Sequence, residues 1–321
     1  MPPHNCEGPM HVGSTTAAPG QALLPVALSL PTSAGMPDRH LDVYRRIVLL
    51  LEEYVAGMGD KSKKVVEFAT PQQITSALRA ACAHAGDGEV ASPDEILGMC
   101  EVVMQYSVRT SSPFFFNQLY GRVDPVALAA DYILSTLNTN AFTYEVAPVF
   151  TTLEKAMVKK LLNVFGLPAD SEGLFVPGGS MANIYGMHMA RSAKLGPAVK
   201  REGLRCCEGQ LVGFCSADAH YSYSKGANLL GLGTDHIRSV PVDPSAAGRG
   251  SMRVDVLEEM VKEALAEGKV PFLVGATAGT TVYGGFDDMV ALRELCDRHG
   301  LWLHIDGAWG GAVAFRAEGG A

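Results

Sequence analysis

Apolar residues recur along this chain with helical spacing at first, and with alternating helical and strand spacing later. From Asp38 onward Leu41, Tyr44, Ile47, Val48, Leu51 and Val55 fall on one helical face, and Gly57 ends the run. Thr70-Pro71 opens a second helix, predicted to run to about Ala83. Ser92-Pro93-Asp94-Glu95 opens a third, with Ser92 as N-cap and Pro93 at the first helical position. Its apolar residues Ile96, Leu97, Val103 and Met104 need a partner surface. Three helices before any strand read as an arm packed on another body, with a second subunit as the candidate.

Ser111–Gly121 (SSPFFFNQLYG) has neither period. It reads either as a buried loop with satisfied amides or as a pocket wall that meets a polar group. Asn138–Phe150 mixes amides with aromatics and leads into an amphipathic helix of Leu153, Met157, Leu161, Val164 and Phe165, closed by Gly166 and Pro168. From there the two periods alternate. Gly173–Ala193 reads as a short strand, a Pro-Gly-Gly-Ser turn and a helix. Gln210–Ser216 is a strand, with His220 just past its end and a helix behind. His236–Asp243 is a further strand, and Val254–Ala266 is a helix burying Val256, Leu257, Met260, Val261, Ala264 and Leu265. Val270 starts a strand that runs into a Thr/Gly loop. Met289, Leu292, Leu295 and Cys296 mark a helix that Gly300 closes, and Leu301–Ile305 is the last strand. Strands alternating with helices predict βαβ units, hence an α/β fold with a mostly parallel sheet. Residues 1–37, rich in Pro, Gly, Ala, Ser and Thr without periodicity, are expected to be a disordered tail. The expected organisation is thus tail 1–37, helical arm 38–110 and a large α/β domain over 111–321.

Composition narrows the partners. The 321 residues carry a net charge of −8, with a pI near 5.6, which argues against a nucleic-acid or anionic-membrane partner. No apolar run reaches the roughly 18 residues of a membrane span. Seven cysteines, an odd number without metal-type spacing, read as free thiols in a reducing, cytoplasmic setting, with no metal site.

Candidate chemistry gathers where the strands end. In an open α/β sheet, ligands bind outside the carboxyl ends of the strands. Three such ends supply a glycine turn at Gly178–Ser180 able to cradle a phosphate on a helix N-terminus, the flat aromatic base His220, and the carboxylate Asp306 with the small residue Ala308 nearby. The glycine turn has neither the dinucleotide nor the P-loop spacing, which disfavours a nucleotide-binding domain. The three groups suit a flat, phosphorylated, pyridine-type ligand. An adjacent carboxylate favours the protonated ring nitrogen, and the pyridinium then accepts electrons released at a substrate Cα, as in pyridoxal phosphate (PLP) chemistry.

At this point the chain, from about residue 40 to Ala321, resembles the group II PLP-dependent amino acid decarboxylases, in the branch holding glutamate decarboxylase and cysteine sulfinate decarboxylase. The blocks that carry the resemblance are YSVRTSSPFFFNQL, NTNAFTYEVAPVF, PGGSMAN, SADAHYSYSKGA, LGLGTD, VPFLVGATAGTTVYGGFD and LWLHIDGAWGG, in the family's order. The resemblance implies a fold-type I PLP domain working as a homodimer with its site at the subunit interface. It implies loss of the substrate α-carboxylate as CO2 from the external aldimine, then protonation at Cα. Asp306 would pair with the pyridine nitrogen, and His220 would stack on the ring and help place the substrate carboxylate. Gly179, Ser180 and Met181 would form the phosphate-side turn, Thr281 would lie beside the cofactor and Ala308 under it. Gln118, Asn140 and Phe142 match substrate-pocket positions. A small acidic amino acid is the expected substrate: glutamate first, from NTNAF at 138–142, with cysteine sulfinate or aspartate as alternatives.

The sequence also departs from the family pattern. Ser112-Pro113-Phe114 stands where the family has His-Pro-Arg, and Gly307 stands for an alanine. No Asn-Pro-His-Lys motif, which carries the family's Schiff-base lysine, occurs before Ala321, and Lys225 falls at a non-catalytic position. The expectation is therefore an incomplete large domain without the small C-terminal domain. Two forms fit it: part of a working enzyme, or an inactive short form that pairs with a complete subunit.

Overall fold

The computed structural model describes residues 38–82, 90–245 and 249–315, so the tail expected over 1–37 lies outside the described residues. The chain divides into two compact units between Pro113 and Phe114.

The first unit holds helices α1 (Asp38–Ala56), α2 (Pro71–Ala81) and α3 (Pro93–Tyr106). Both later helices open with proline in the first turn and a closed capping box, Thr70 with Gln73 and Ser92 with Glu95. Each box satisfies two backbone donors that a helix start leaves orphaned. Helix α3 packs on α1 and α2, and the Arg109 guanidinium lies 4.8 Å over the Tyr54 ring.

The second unit begins with α4 (Pro125–Leu137), α5 (Pro148–Val164), α6 (Gly179–Leu195) and the short α7 (Ala198–Glu202). Strand β1 (Leu211–Ser216), α8 (Ser222–Leu229), β2 (Ile237–Val240), β3 (Val242–Asp243) and β4 (Ser251–Met252) follow. Helix α9 (Val254–Ala266), β5 (Val270–Thr277), α10 (Met289–His299) and β6 (Trp302–Asp306) complete it. Four strands form one sheet in the order β2-β1-β5-β6, every pair parallel, as the alternating pattern predicts. The β1–β5 register shifts where Val212 faces Pro271, a residue with no N–H to give the ladder. On one face α9 and α10 bury Leu257, Val261, Leu292 and Leu295 against Phe214 and Val274; on the other α6 and α8 bury Met187, Ala190, Tyr223 and Ala227 against Leu211 and Leu273. The strands' carboxyl ends are left facing one crevice.

Three expectations are corrected. Leu174–Val176, expected as a strand, has no ladder partner among the described residues and is extended chain leading into the Gly178 turn. The single strand expected over His236–Asp243 breaks at Pro241, and β3 pairs instead with β4, antiparallel. Helix α4, absent from the pattern reading, forms behind Asp124, whose carboxylate accepts the N–H groups of Val126 and Ala127, with Pro125 at the first position.

Candidate active site

Asp306 is the last residue of β6 and is buried; in the ladder it faces Thr277 at the end of β5. Its Oδ1 accepts the Ala308 N–H at 3.0 Å and its Oδ2 accepts the Asn183 side-chain amide at 2.8 Å. Each carboxylate oxygen thus has one protein donor and keeps capacity for another. Two residues earlier on the same strand face, His304 is held below its ordinary titration range, chiefly by burial, with Asp306 opposing.

Helix α6 brings its N-terminus to this strand end. Gly178 adopts φ 90°, a left-handed conformation that suits glycine, and no side chain caps the helix. A Cβ on Gly179 would lie 2.8 Å from that of Ala308, so glycine here sets how closely helix and strand end approach. The uncapped first-turn amides sit at the positive end of the helix dipole, an arrangement that receives an anion.

His220 follows β1. Its Nδ1 accepts the Ser222 N–H at 3.2 Å, which fixes the ring. Tyr221 stacks on it with centroids 4.1 Å apart, and the Lys225 ammonium lies 4.2 Å from the Tyr221 centroid. Lys225 thus engages an aromatic face, as a cation–π partner. Beyond β5, the buried Asp287 carboxylate accepts the N–H groups of Thr277 and Met252; burial, the largest influence, pushes its pKa up. That clamp shapes the loop carrying Gly279 and Thr281.

Gly179, Ser180, His220, Thr281, Asp306 and Ala308 line one cavity of about 440 Å³. The other four residues singled out from the sequence are not on its wall. Met181 lies one position deeper in α6, its N–H bonded to the Gly178 carbonyl. Gln118 is exposed, although its neighbours Leu119 and Tyr120 do line the cavity. Asn140 spends its side-chain oxygen on the Phe142 N–H at 3.0 Å, and the Phe142 ring is 88% exposed. Asn183, Thr277 and Trp309 line the cavity without having been singled out. Asn183 follows Gly179 by four residues, the spacing that repeats one helix face, and this signal was available in the PGGSMAN block.

The cavity fits a flat anionic cofactor on observations independent of any resemblance. The Thr277 hydroxyl is buried, lines the cavity and has no hydrogen-bond partner among the described residues, so an occupant's polar atom would satisfy it. The donors at the α6 start, the aromatic base and the carboxylate face the same space. Among the described residues no group of three or more His, Cys, Asp or Glu could hold a metal ion, and no helix is long and apolar enough to cross a membrane.

An α/β domain with this crevice at its strand ends has the architecture of the fold-type I PLP-dependent enzymes. The model of the pyridoxal-dependent decarboxylase conserved domain matches residues 78–317, and the chain belongs to that family. Human cysteine sulfinic acid decarboxylase is 42% identical over 286 residues, covering 89% of this chain and 56% of the relative. Human acidic amino acid decarboxylase GADL1 is 41% identical over 265 residues, covering 83% of this chain and 49% of the relative. The crystal structure of mouse CSAD superposes with a TM-score of 0.80 at 41% identity, covering 87% of this chain and 56% of that one. The chain spans about half the length of the curated relatives it matches.

Proposed function

We propose that this chain supplies the cofactor-binding part of a PLP-dependent decarboxylase acting on a small acidic L-amino acid. The observation that carries the reading is the convergence of the Asp306 carboxylate, the His220 ring and the uncapped α6 N-terminus on one cavity. Bound pyridoxal phosphate supplies the electron sink for the pair left when the bond from Cα to the carboxylate breaks.

The chain's own residues have these roles. The first-turn amides at Gly179 and Ser180 hold the phosphate. Asp306, braced by Ala308 and Asn183, holds a proton on the ring nitrogen through the attraction of opposite charges. The His220 ring covers one face of the cofactor, and Ala308, with only a methyl group, leaves room on the other. Thr277 offers a buried hydroxyl in the cavity wall and Thr281 an exposed one. Among the described residues no lysine lines the cavity, and the covalent anchor is not assigned.

Within the acidic class, the names of the similar proteins favour cysteine sulfinate, and the NTNAF segment at Asn138–Phe142 favours glutamate. The exposed apolar residues of α4, among them Val126, Ile133 and Leu137, support assembly as a homodimer. The test is CO2 release from cysteine sulfinate, aspartate and glutamate by the complete natural polypeptide supplied with PLP. Release from at least one of the three is expected. Uptake of PLP with release from none would overturn the acidic-substrate reading.

A further inference from the structure

Behind Asp306 lies a buried cluster whose internal order has a consequence for the site. The Asn183 amide nitrogen donates at 2.8 Å to Asp306 Oδ2 and at 2.8 Å to Ser222 Oγ, which uses both of its hydrogens. The Asn183 oxygen lies 2.8 Å from His304 Nε2. The opposite orientation of the amide would point its oxygen at the carboxylate, two acceptors with no proton between them. The carboxylate therefore sets the amide's orientation, and the amide oxygen then requires a donor. His304 must carry its proton on Nε2. Its other nitrogen, Nδ1, is pressed against Gly186, where even a Cβ would come within 2.4 Å. Gly186 follows Asn183 by three residues, so one face of α6 clamps both the ring and the carboxylate. Burial favours the neutral ring, which leaves one ring proton to place.

We propose that Asn183 is a positioning residue: it holds the Asp306 carboxylate in the orientation that meets the cofactor's ring nitrogen, and His304, as the Nε2–H tautomer, locks Asn183. The inference rests on the reading of the cavity as a PLP site. The Asn183 amide acts only through Asp306 in this scheme. A carboxylate held by neutral donors keeps its full charge for the ligand, whereas one left to rotate must be ordered again at each binding event.

The test combines PLP titration of the complete polypeptide, followed by absorbance and by circular dichroism of the bound cofactor, with 15N NMR of the histidines in the cofactor-free protein. Removing a donor to a charged group by Asn183→Leu should weaken PLP binding about 10- to 100-fold. It should also change the circular dichroism of the cofactor that still binds. His304→Gln keeps an N–H for the Asn183 oxygen and should bind within about threefold of the wild type, while His304→Leu should lose about tenfold. Rescue by glutamine but not by leucine separates positioning from mere packing. In the unsubstituted protein, NMR should find the His304 proton on Nε2. This measurement decides the matter even where a variant does not fold: a proton on Nδ1 overturns the inference. A wild type that binds PLP, with Asn183→Leu equal to it in affinity and dichroism, overturns the inference alone. A wild type that takes up no PLP overturns the cofactor reading as well.

Discussion

Substituting Gly186 by alanine puts one methyl group into the seam between α6 and β6, and the structure gives the size of the effect. The added Cβ would stand 2.4 Å from His304 Nδ1, 2.6 Å from Cε1 and 2.8 Å from Cγ, all under any normal contact distance. The ring cannot move freely, because Asn183 holds its far nitrogen and Tyr223 meets it edge-on with centroids 6.2 Å apart. Overpacking of this kind costs about 1–3 kcal/mol. Loss of the His304–Asn183 hydrogen bond adds about 1 kcal/mol. Alanine in a helix interior returns about 1 kcal/mol of propensity. The balance is a destabilisation of about 1–3 kcal/mol. The chain's two tryptophans, Trp302 and Trp309, both lie at β6 and its end, so their fluorescence reports on this seam. Urea unfolding should show a midpoint lower by roughly 0.3–1.5 M with an unchanged slope, taking a slope of about 2–3 kcal/mol/M. An unchanged midpoint, or one raised as propensity alone would raise it, would refute the packing argument.

Other perturbations test separate parts of the account. Leu257→Ala empties a fully buried position between α9 and the sheet and should cost about 2–5 kcal/mol in the same unfolding assay. Burial holds the His304 imidazole below its ordinary value, so in the unfolded chain it takes up a proton near about pH 6.5 while the folded chain keeps it neutral. Its contribution to stability is therefore complete above about pH 6.5 and is lost as pH falls toward the folded value; melting temperatures from about pH 7.5 to 5 should decline less steeply in His304→Gln. Burial pushes the Cys215 thiol up to about 12 and the Cys296 thiol up to about 11, so in the folded protein at pH 8 alkylation mapped by mass spectrometry should spare both while the half-buried Cys100, Cys206 and Cys207 are modified.

The sequence was most legible where a local rule decides the outcome. Helix α9 occupies Val254–Ala266 as its apolar spacing predicts, although Leu265, expected on the buried face, is exposed at the last turn, and the Ser92 capping box is written in four consecutive residues. The place of Asp306 was readable from a strand followed by small residues, because strand ends face ligands in this class of sheet. What was not readable depends on distant partners. Asn183 meets Asp306 across 123 residues of sequence, and no local pattern marks that pairing. The apolar run Leu174–Val176 satisfies a strand rule but lacks a neighbour to complete the ladder among the described residues. Helix α4 escapes the pattern reading although Asp124-Pro125 is a start signal, because the run behind it is mostly apolar and its few polar residues, Asp131, Ser135 and Thr136, mark only a narrow face late in the helix.

The central claim is that Asp306, His220 and the start of α6 form one PLP site. A crystal structure of the complete polypeptide with PLP tests it most directly. The account predicts the phosphate against the Gly179 and Ser180 amides, and the pyridine nitrogen about 2.7–3.2 Å from a carboxylate oxygen of Asp306. A cofactor bound with its phosphate elsewhere, for example in the arm's cleft beside Lys63, Lys64 and Arg109, would contradict it.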